Sequence, residues 1–220
     1  MKTIKPSPAN VAADTAVAHA QPPRKRGRPV QPADQSLRQA LIERAAELFR
    51  HQGYGQTSVR DIAAAAGVQA GSWFYHFKTK QEILHAVIKH GMTQALAEIE
   101  SLDLAALPPR EALWQLVRVH LNTLLAPHHD FVPVMLYEWH VLSEDERASI
   151  IGLKDRYEAI WDGVLERLQV SGEWAAPTRL DRLFLFGMLN WTVQWYRPDA
   201  GVGLDELADQ ALQFLLRSER

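Results

Sequence analysis

The sequence predicts an all-α fold, and three observations carry that expectation. From about residue 36 onward, apolar residues recur at i, i+3 and i+4, the spacing that lines one face of a 3.6-residue helix. No stretch alternates apolar and polar residues as a half-buried strand would. Breakers at Gly53, Gly67, Pro108-Pro109, Pro127, Ser171-Gly172 and Arg197-Pro198 cut the chain into pieces of helical length.

Residues 1–33 are rich in Ala and Pro and poor in large apolar side chains, so they read as a disordered basic arm. Leu37, Ala40, Leu41, Ala45, Leu48 and Phe49 then share a helix face that Gly53 ends. Ser58-Val59-Arg60-Asp61 has the form of a capping start, with a hydroxyl followed three residues later by an acid. Val59, Ile62, Ala63 and Ala66 line the short second helix, and Gly67 stops it. A third short helix is expected from about Gln69 to Phe77. Thr79 caps a long fourth, with Ile83, Leu84, Val87, Ile88, Ala95, Leu96 and Ile99 inward. Five more helices are expected near 110–126, 130–141, 144–170, 178–196 and 204–217. This organisation gives an N-terminal three-helix unit over 34–82, joined by a long helix to a larger helical domain over 83–220.

Composition excludes several classes. With no Cys there is no disulfide framework and no thiolate metal site. No apolar run approaches the roughly 18–20 residues of a membrane span, so no membrane role is expected, and the Pro-containing N-terminus makes a poor signal peptide. A cytoplasmic protein follows. Charge is divided along the chain: residues 1–33 hold six Lys/Arg and one acid, whereas residues 91–220 hold eleven and twenty. Only the front is suited to a polyanion.

A short helix, a Gly turn and a second short helix match a helix-turn-helix. Ala63 is small where the helices touch, and Val68 plugs the gap between them. The second helix would enter the major groove of a double-stranded DNA operator by its leading end, Gln69, Ala70, Gly71 and Ser72. Gln69 can bond to bases, and Gly71 permits close backbone approach. Trp73 and Phe77, four apart, anchor the helix from behind. Tyr75, His76, Thr57, Ser58 and Lys80 are the candidate phosphate contacts.

"TSVRDIAAAAGV", "GSWFYHFKTKQEIL" and the N-terminal position of this unit resemble the TetR family of transcriptional regulators, specifically over about residues 36–90. The resemblance implies a repressor whose C-terminal half forms a ligand pocket and a homodimer interface. The family usually has Leu or Ile followed by Tyr where this chain has Trp73-Phe74. Phe74 lacks the hydroxyl of the usual phosphate contact, and Tyr75 is the candidate to replace it. "NWTVQWYRPDAGVGLDELADQAL" is similar to regulators of lipid, steroid or other acyl-CoA catabolism, which suggests an acyl-CoA or a hydrophobic acid as inducer.

Arg26-Gly27-Arg28-Pro29 in the arm resembles an AT-hook core. Gly27 would let the backbone sink into a narrow A·T minor groove while Arg26 and Arg28 follow its floor. A non-specific basic tail explains the same residues, and the sequence leaves both open.

The helix near 178–196 is apolar nearly all round, so it needs two covers: its own core and a partner. Leu183, Phe184 and Gly187, with Leu207, Ala211 and Leu215 of the last helix, are the candidate dimer residues, in an isologous four-helix interface. A dimer of this kind reads a palindromic operator. Candidate ligand-binding residues are the aromatics Trp114, Trp139, Tyr157, Trp161 and Trp191 with Met135, and the polar groups His120, Asn190 and Gln194. His120 suits a hydrogen-bonded core histidine as well as it suits a ligand contact. Arg118, Arg156 and Arg197 could meet an anion.

An enzyme is not expected, nor a cofactor or metal. His128-His129-Asp130 and Glu138-Trp139-His140 lack the i, i+4 histidine pair of zinc hydrolysis motifs. An architectural DNA-bending protein without a ligand would share the front end, but predicts weak sequence preference.

Overall fold

The computed structural model describes residues 32–69, 71–127, 129–174 and 179–216. Among them the chain forms eight α-helices and four short 3-10 turns, and no strand. The helices are α1 (Pro32–Gln52), α2 (Val59–Ala65), α3 (Lys80–Glu100), α4 (Pro109–Leu125), α5 (Phe131–Glu138), α6 (Glu144–Val170), α7 (Arg179–Trp195) and α8 (Leu204–Leu215).

Local chemistry explains the boundaries. α1 ends at Gly53, whose φ of 83° lies in the left-handed region that glycine occupies without a Cβ penalty. Ser58 caps α2 through a complete capping box with Asp61. These bonds, the side-chain one first, hold the Asp61 carboxyl below its ordinary pKa. Thr79 accepts from the Glu82 amide and starts α3. Ser143 and Glu146 form a second capping box, which starts α6 at its expected residue.

The third helix is shorter than the sequence suggested. Only Ser72–Tyr75 forms a 3-10 turn, and Gly71 before it supplies no side-chain cap. Aromatic and β-branched residues are middling helix formers and Gly a poor one, so nothing local extends the turn. Packing holds it instead: Trp73 and Phe77 are buried and belong to the same continuous core as the inward residues of α1 and α3.

α3 occupies the centre. Its inward residues Ile83, Leu84, Val87 and Ile88 are fully buried, and it packs on α1, α4, α5 and α6. The expected boundary at 82/83 falls inside this helix. α5 crosses α3 at Gly91, where a Cβ would stand 2.5 Å from Phe131 Cβ. α8 lies along α4, fixed by Leu207, Ala208 and Leu212, by a Trp114 Nε1 hydrogen bond to Asp209 Oδ1 (2.7 Å), and by the Arg118–Asp205 ion pair.

Candidate nucleic-acid interface and ligand cavity

The front unit presents a tip on an anchored base. Gly67, at φ 67°, turns the chain between α2 and the 3-10 turn, and the Val68 amide closes the corner on the Ala63 carbonyl (2.8 Å). Gln69 and Gly71 are exposed and Ser72 is half-buried. The amides of His76 and Phe77 both donate to the Trp73 carbonyl, which ties the rear of the tip to its anchor. Tyr75 is 86% exposed, so its hydroxyl is free to meet a phosphate. Phe74 is half exposed beside it and His76 is half-buried. Ala70 lies outside the described residues, as do Arg26, Gly27 and Arg28 and the arm.

The side chains of two expected phosphate contacts turn inward in this structure. Thr57 is 1% exposed, and its hydroxyl donates inward to the Gly53 carbonyl (2.9 Å). Lys80 Nζ donates to the carbonyls of Tyr54 (2.8 Å) and Thr57 (3.0 Å) and sits 4.1 Å from the Tyr54 ring centre. As the first residue of α3 it folds back over the preceding loop and closes it. Ser58 is exposed, but its hydroxyl is held in the α2 cap. The exposed lysine of "FKTK" is Lys78, whose Nζ rests on the Phe74 carbonyl at the edge of the tip. The sequence showed both lysines, but only the position of the cap at Thr79 tells them apart.

Behind this unit, α3 to α7 line a half-open cavity of about 350 Å³. Met92, Val132, Met135, Leu136, Trp139 and Phe186 give it mainly apolar walls. One polar line crosses it: His120 Nδ1 lies 2.9 Å from the Tyr157 hydroxyl, and His120 Nε2 lies 2.9 Å from Asn190 Oδ1. The imidazole is stacked on Phe186 and meets Trp161 edge-on. Burial pushes His120 down to about 4, with the Asn190 bond opposing the shift, so the ring is neutral at physiological pH. Burial likewise raises the Tyr157 pKa. His120 is therefore both a satisfied core histidine and part of the cavity surface.

Of the residues expected to bind ligand, His120, Met135, Trp139, Tyr157 and Asn190 line the cavity. Trp161 is fully buried one layer behind it. Trp114 points instead to Asp209 on α8, Trp191 is exposed on the outer side of α7, and Gln194 donates to the Tyr137 hydroxyl. Aromatic content suggests Trp114 and Trp191, and helical spacing suggests Gln194, but neither says which side chain meets the cavity. Arg118 and Arg156 pair with Asp205 and Glu100, and neither they nor Arg197 lines the cavity. Lys154 and Glu158 stand at its polar edge, paired at 2.5 Å, and Glu158 also pairs with Arg182 (2.7 Å).

α5 connects the cavity to the DNA-reading unit. Val132, Met135 and Leu136 line the cavity, while Glu138 at the end of the same helix accepts from the Tyr54 amide (3.1 Å). Arg50 of α1 meets Asp130 at 3.5 Å, and Gln81 of α3 donates to Glu146 (2.7 Å). On the far side of the molecule, Leu183, Phe184, Trp191 and Trp195 of α7 and Phe214 of α8 expose apolar surface, and Gly187 lies among them with open space around it. Leu207, expected at the dimer face, is buried in the chain's own core, whereas Ala211 and Leu215 are half-buried.

A helix-turn-helix followed by a larger helical domain with an apolar cavity is the architecture of a DNA-binding regulator. Residues 41–87 match the family described as bacterial regulatory proteins, tetR family, and residues 106–218 match the tetracyclin repressor-like C-terminal domain. The chain belongs to the TetR family of transcriptional regulators, and it is a regulator rather than an enzyme. It is 28% identical to the HTH-type transcriptional repressor KstR2 of Rhodococcus jostii (strain RHA1), over 81% of this chain and 89% of that one. It is 30% identical to the fatty acid metabolism regulator protein of Bacillus subtilis (strain 168), over 80% of this chain and 92% of that one. Its fold matches the crystal structure of AibR in complex with isovaleryl coenzyme A and operator DNA, with a TM-score of 0.72 and 24% identity, over 82% of this chain and 98% of that one.

Proposed function

We propose that this protein is a cytoplasmic, ligand-responsive transcriptional repressor. As a homodimer it binds a palindromic operator, and it releases the operator when a hydrophobic small molecule fills the cavity. Residues 34–82 read DNA and residues 83–220 bind ligand and dimerise. The observation that carries the reading is α5, which walls the cavity and holds the loop before α2 through Glu138 and Tyr54. Ligand that displaces α5 or α3 changes the seat of the DNA-reading unit.

Gln69 and Ser72 supply base contacts at the tip, with Tyr75, Lys78 and His76 on phosphates. Leu183, Phe184 and Gly187, with Trp191, Trp195 and Phe214, form the dimer face, because apolar surface on two adjacent helices needs a cover. An acyl-CoA is the specific inducer candidate. It is supported by the fatty acid metabolism regulator among the relatives and by the isovaleryl coenzyme A bound to AibR.

The test is selection of operator sequences from a random oligonucleotide pool by the full chain. A palindrome is expected, with its half-site preference altered by Gln69→Ala. A consensus without two-fold symmetry, or one indifferent to Gln69 and Ser72 substitutions, would overturn the DNA-binding reading.

A further inference from the structure

The polar line in the cavity also carries information about the ligand, on the reading that this cavity is the inducer site. With Asn190 Oδ1 accepting, His120 Nε2 carries the proton, and Nδ1 accepts from the Tyr157 hydroxyl. Neutral imidazole thus satisfies both neighbours. One donor remains: among the described residues Asn190 Nδ2 meets no acceptor, although Asn190 lines the cavity.

Charge around the cavity cancels. Lys154 is matched by Glu158, and Arg182 bridges Glu158 and Asp162. Among the described residues the one Lys or Arg that lines the cavity with His120 and Asn190 is Lys154, and Glu158 already pairs with it. An adjoining cavity of about 390 Å³ shares Ala95, Thr123 and Val132 with the first; of its carboxylates Glu47 pairs with Arg44 and Asp130 with Arg50, which leaves Glu43 and Glu98 as the excess. A carboxylate drawn into the apolar cavity would lose hydration without gaining a counter-charge, and it would face excess negative charge next door. A carbonyl or hydroxyl oxygen costs far less to bury and takes the free Asn190 donor.

We propose that the site selects an apolar ligand through an uncharged oxygen, a ketone, ester or thioester carbonyl or an alcohol, held by Asn190 Nδ2, and that it discriminates against the corresponding free carboxylate. Asn190 is the specificity-determining residue, and His120 positions it. For an acyl compound, the thioester or ester is therefore the recognised form and the hydrolysed acid is not.

The test compares decan-2-one, decan-1-ol and sodium decanoate by calorimetric titration of the full-length protein at pH 8. The ketone and alcohol are expected to bind at least about tenfold more tightly than decanoate, the factor one well-made hydrogen bond supplies. Asn190→Asp keeps the acceptor for His120 and removes the donor. It should weaken the ketone about tenfold or more and leave the alcohol, which can donate to the new carboxylate, within about threefold. Asn190→Leu should weaken both. Decanoate binding as tightly as the ketone, with its affinity lost in Lys154→Gln and untouched by the Asn190 variants, would overturn the proposal. Failure of all three probes to bind, or binding unaffected by filling the cavity with Met135→Trp, would instead overturn the reading of this cavity as the ligand site.

Discussion

Single residues set the chemistry of both ends of the molecule. At the DNA-reading tip, the aromatic run Trp73 to Phe77 divides by burial: two rings are anchors and Phe74 and Tyr75 face outward. In the sensor half, His120 imposes a pH dependence on stability. Its imidazole protonates near 4 in the folded chain because of burial, and near 6.5 when unfolded. Between those values the unfolded chain binds more protons, so stability falls as pH drops from about 6.5 toward 4 and is flat with respect to this group above 6.5. The full effect is about 3 kcal/mol. His85 and His90, also lowered by burial, act in the same direction. Denaturant midpoints of wild type and His120→Gln, followed from pH 7.5 to 5, should show a shallower acid loss in the variant; parallel curves would contradict the assignment. The sequence placed His120 on the apolar face of α4. It could not show that Tyr157 and Asn190, on two other helices, arrive at its two nitrogens. The same limit explains Thr57 and Lys80: residue type suggests a phosphate contact, but the loop they close has carbonyls that need donors, and that demand appears only once the chain is folded.

At the scale of helices, capping and periodicity made most of the fold legible. α6 starts at the residue expected from the breaker spacing, and the structure adds the reason, the Ser143-Glu146 box; the inward residues of α3 follow from spacing alone. Residue type and periodicity do not name the neighbour that covers a side chain, and Trp114, Trp191 and Gln194 do not line this cavity. Gly91 carried no signal at all, since a glycine inside a helix usually only weakens it. The structure gives it a reason: α5 passes so close that a Cβ would sit 2.5 Å from Phe131 Cβ and 3.2 Å from its carbonyl carbon. These atoms are not the yielding end of a side chain, so α5 itself must move. Gly91→Ala is expected to cost about 1–3 kcal/mol and to lower the thermal midpoint. Because α5 also holds Tyr54 through Glu138, the variant should weaken the response of DNA binding to ligand. An unchanged midpoint would mean that the helices are not in close contact there.

At the scale of the described residues, the helix-turn-helix, the cavity and an exposed apolar face on α7 and α8 lie on one helical unit. That face joins Phe184, Trp191 and Trp195 of α7 to Phe214 of α8, each more than half exposed in the single chain. The sequence announced it by making α7 apolar on all sides, although Leu207 proved to serve the chain's own core. Phe184→Glu combined with Trp191→Glu should yield a folded monomer by sedimentation, with operator binding greatly weakened; a persistent dimer would place the interface elsewhere. We expect cavity and operator to be coupled through α3 and α5, with a coupling free energy of typically ~1–3 kcal/mol. The most direct test is fluorescence anisotropy of the full-length protein on a selected operator, with and without a saturating cavity ligand. The account predicts that the ligand weakens operator affinity by about 5- to 150-fold. Unchanged affinity with the cavity demonstrably filled would contradict it.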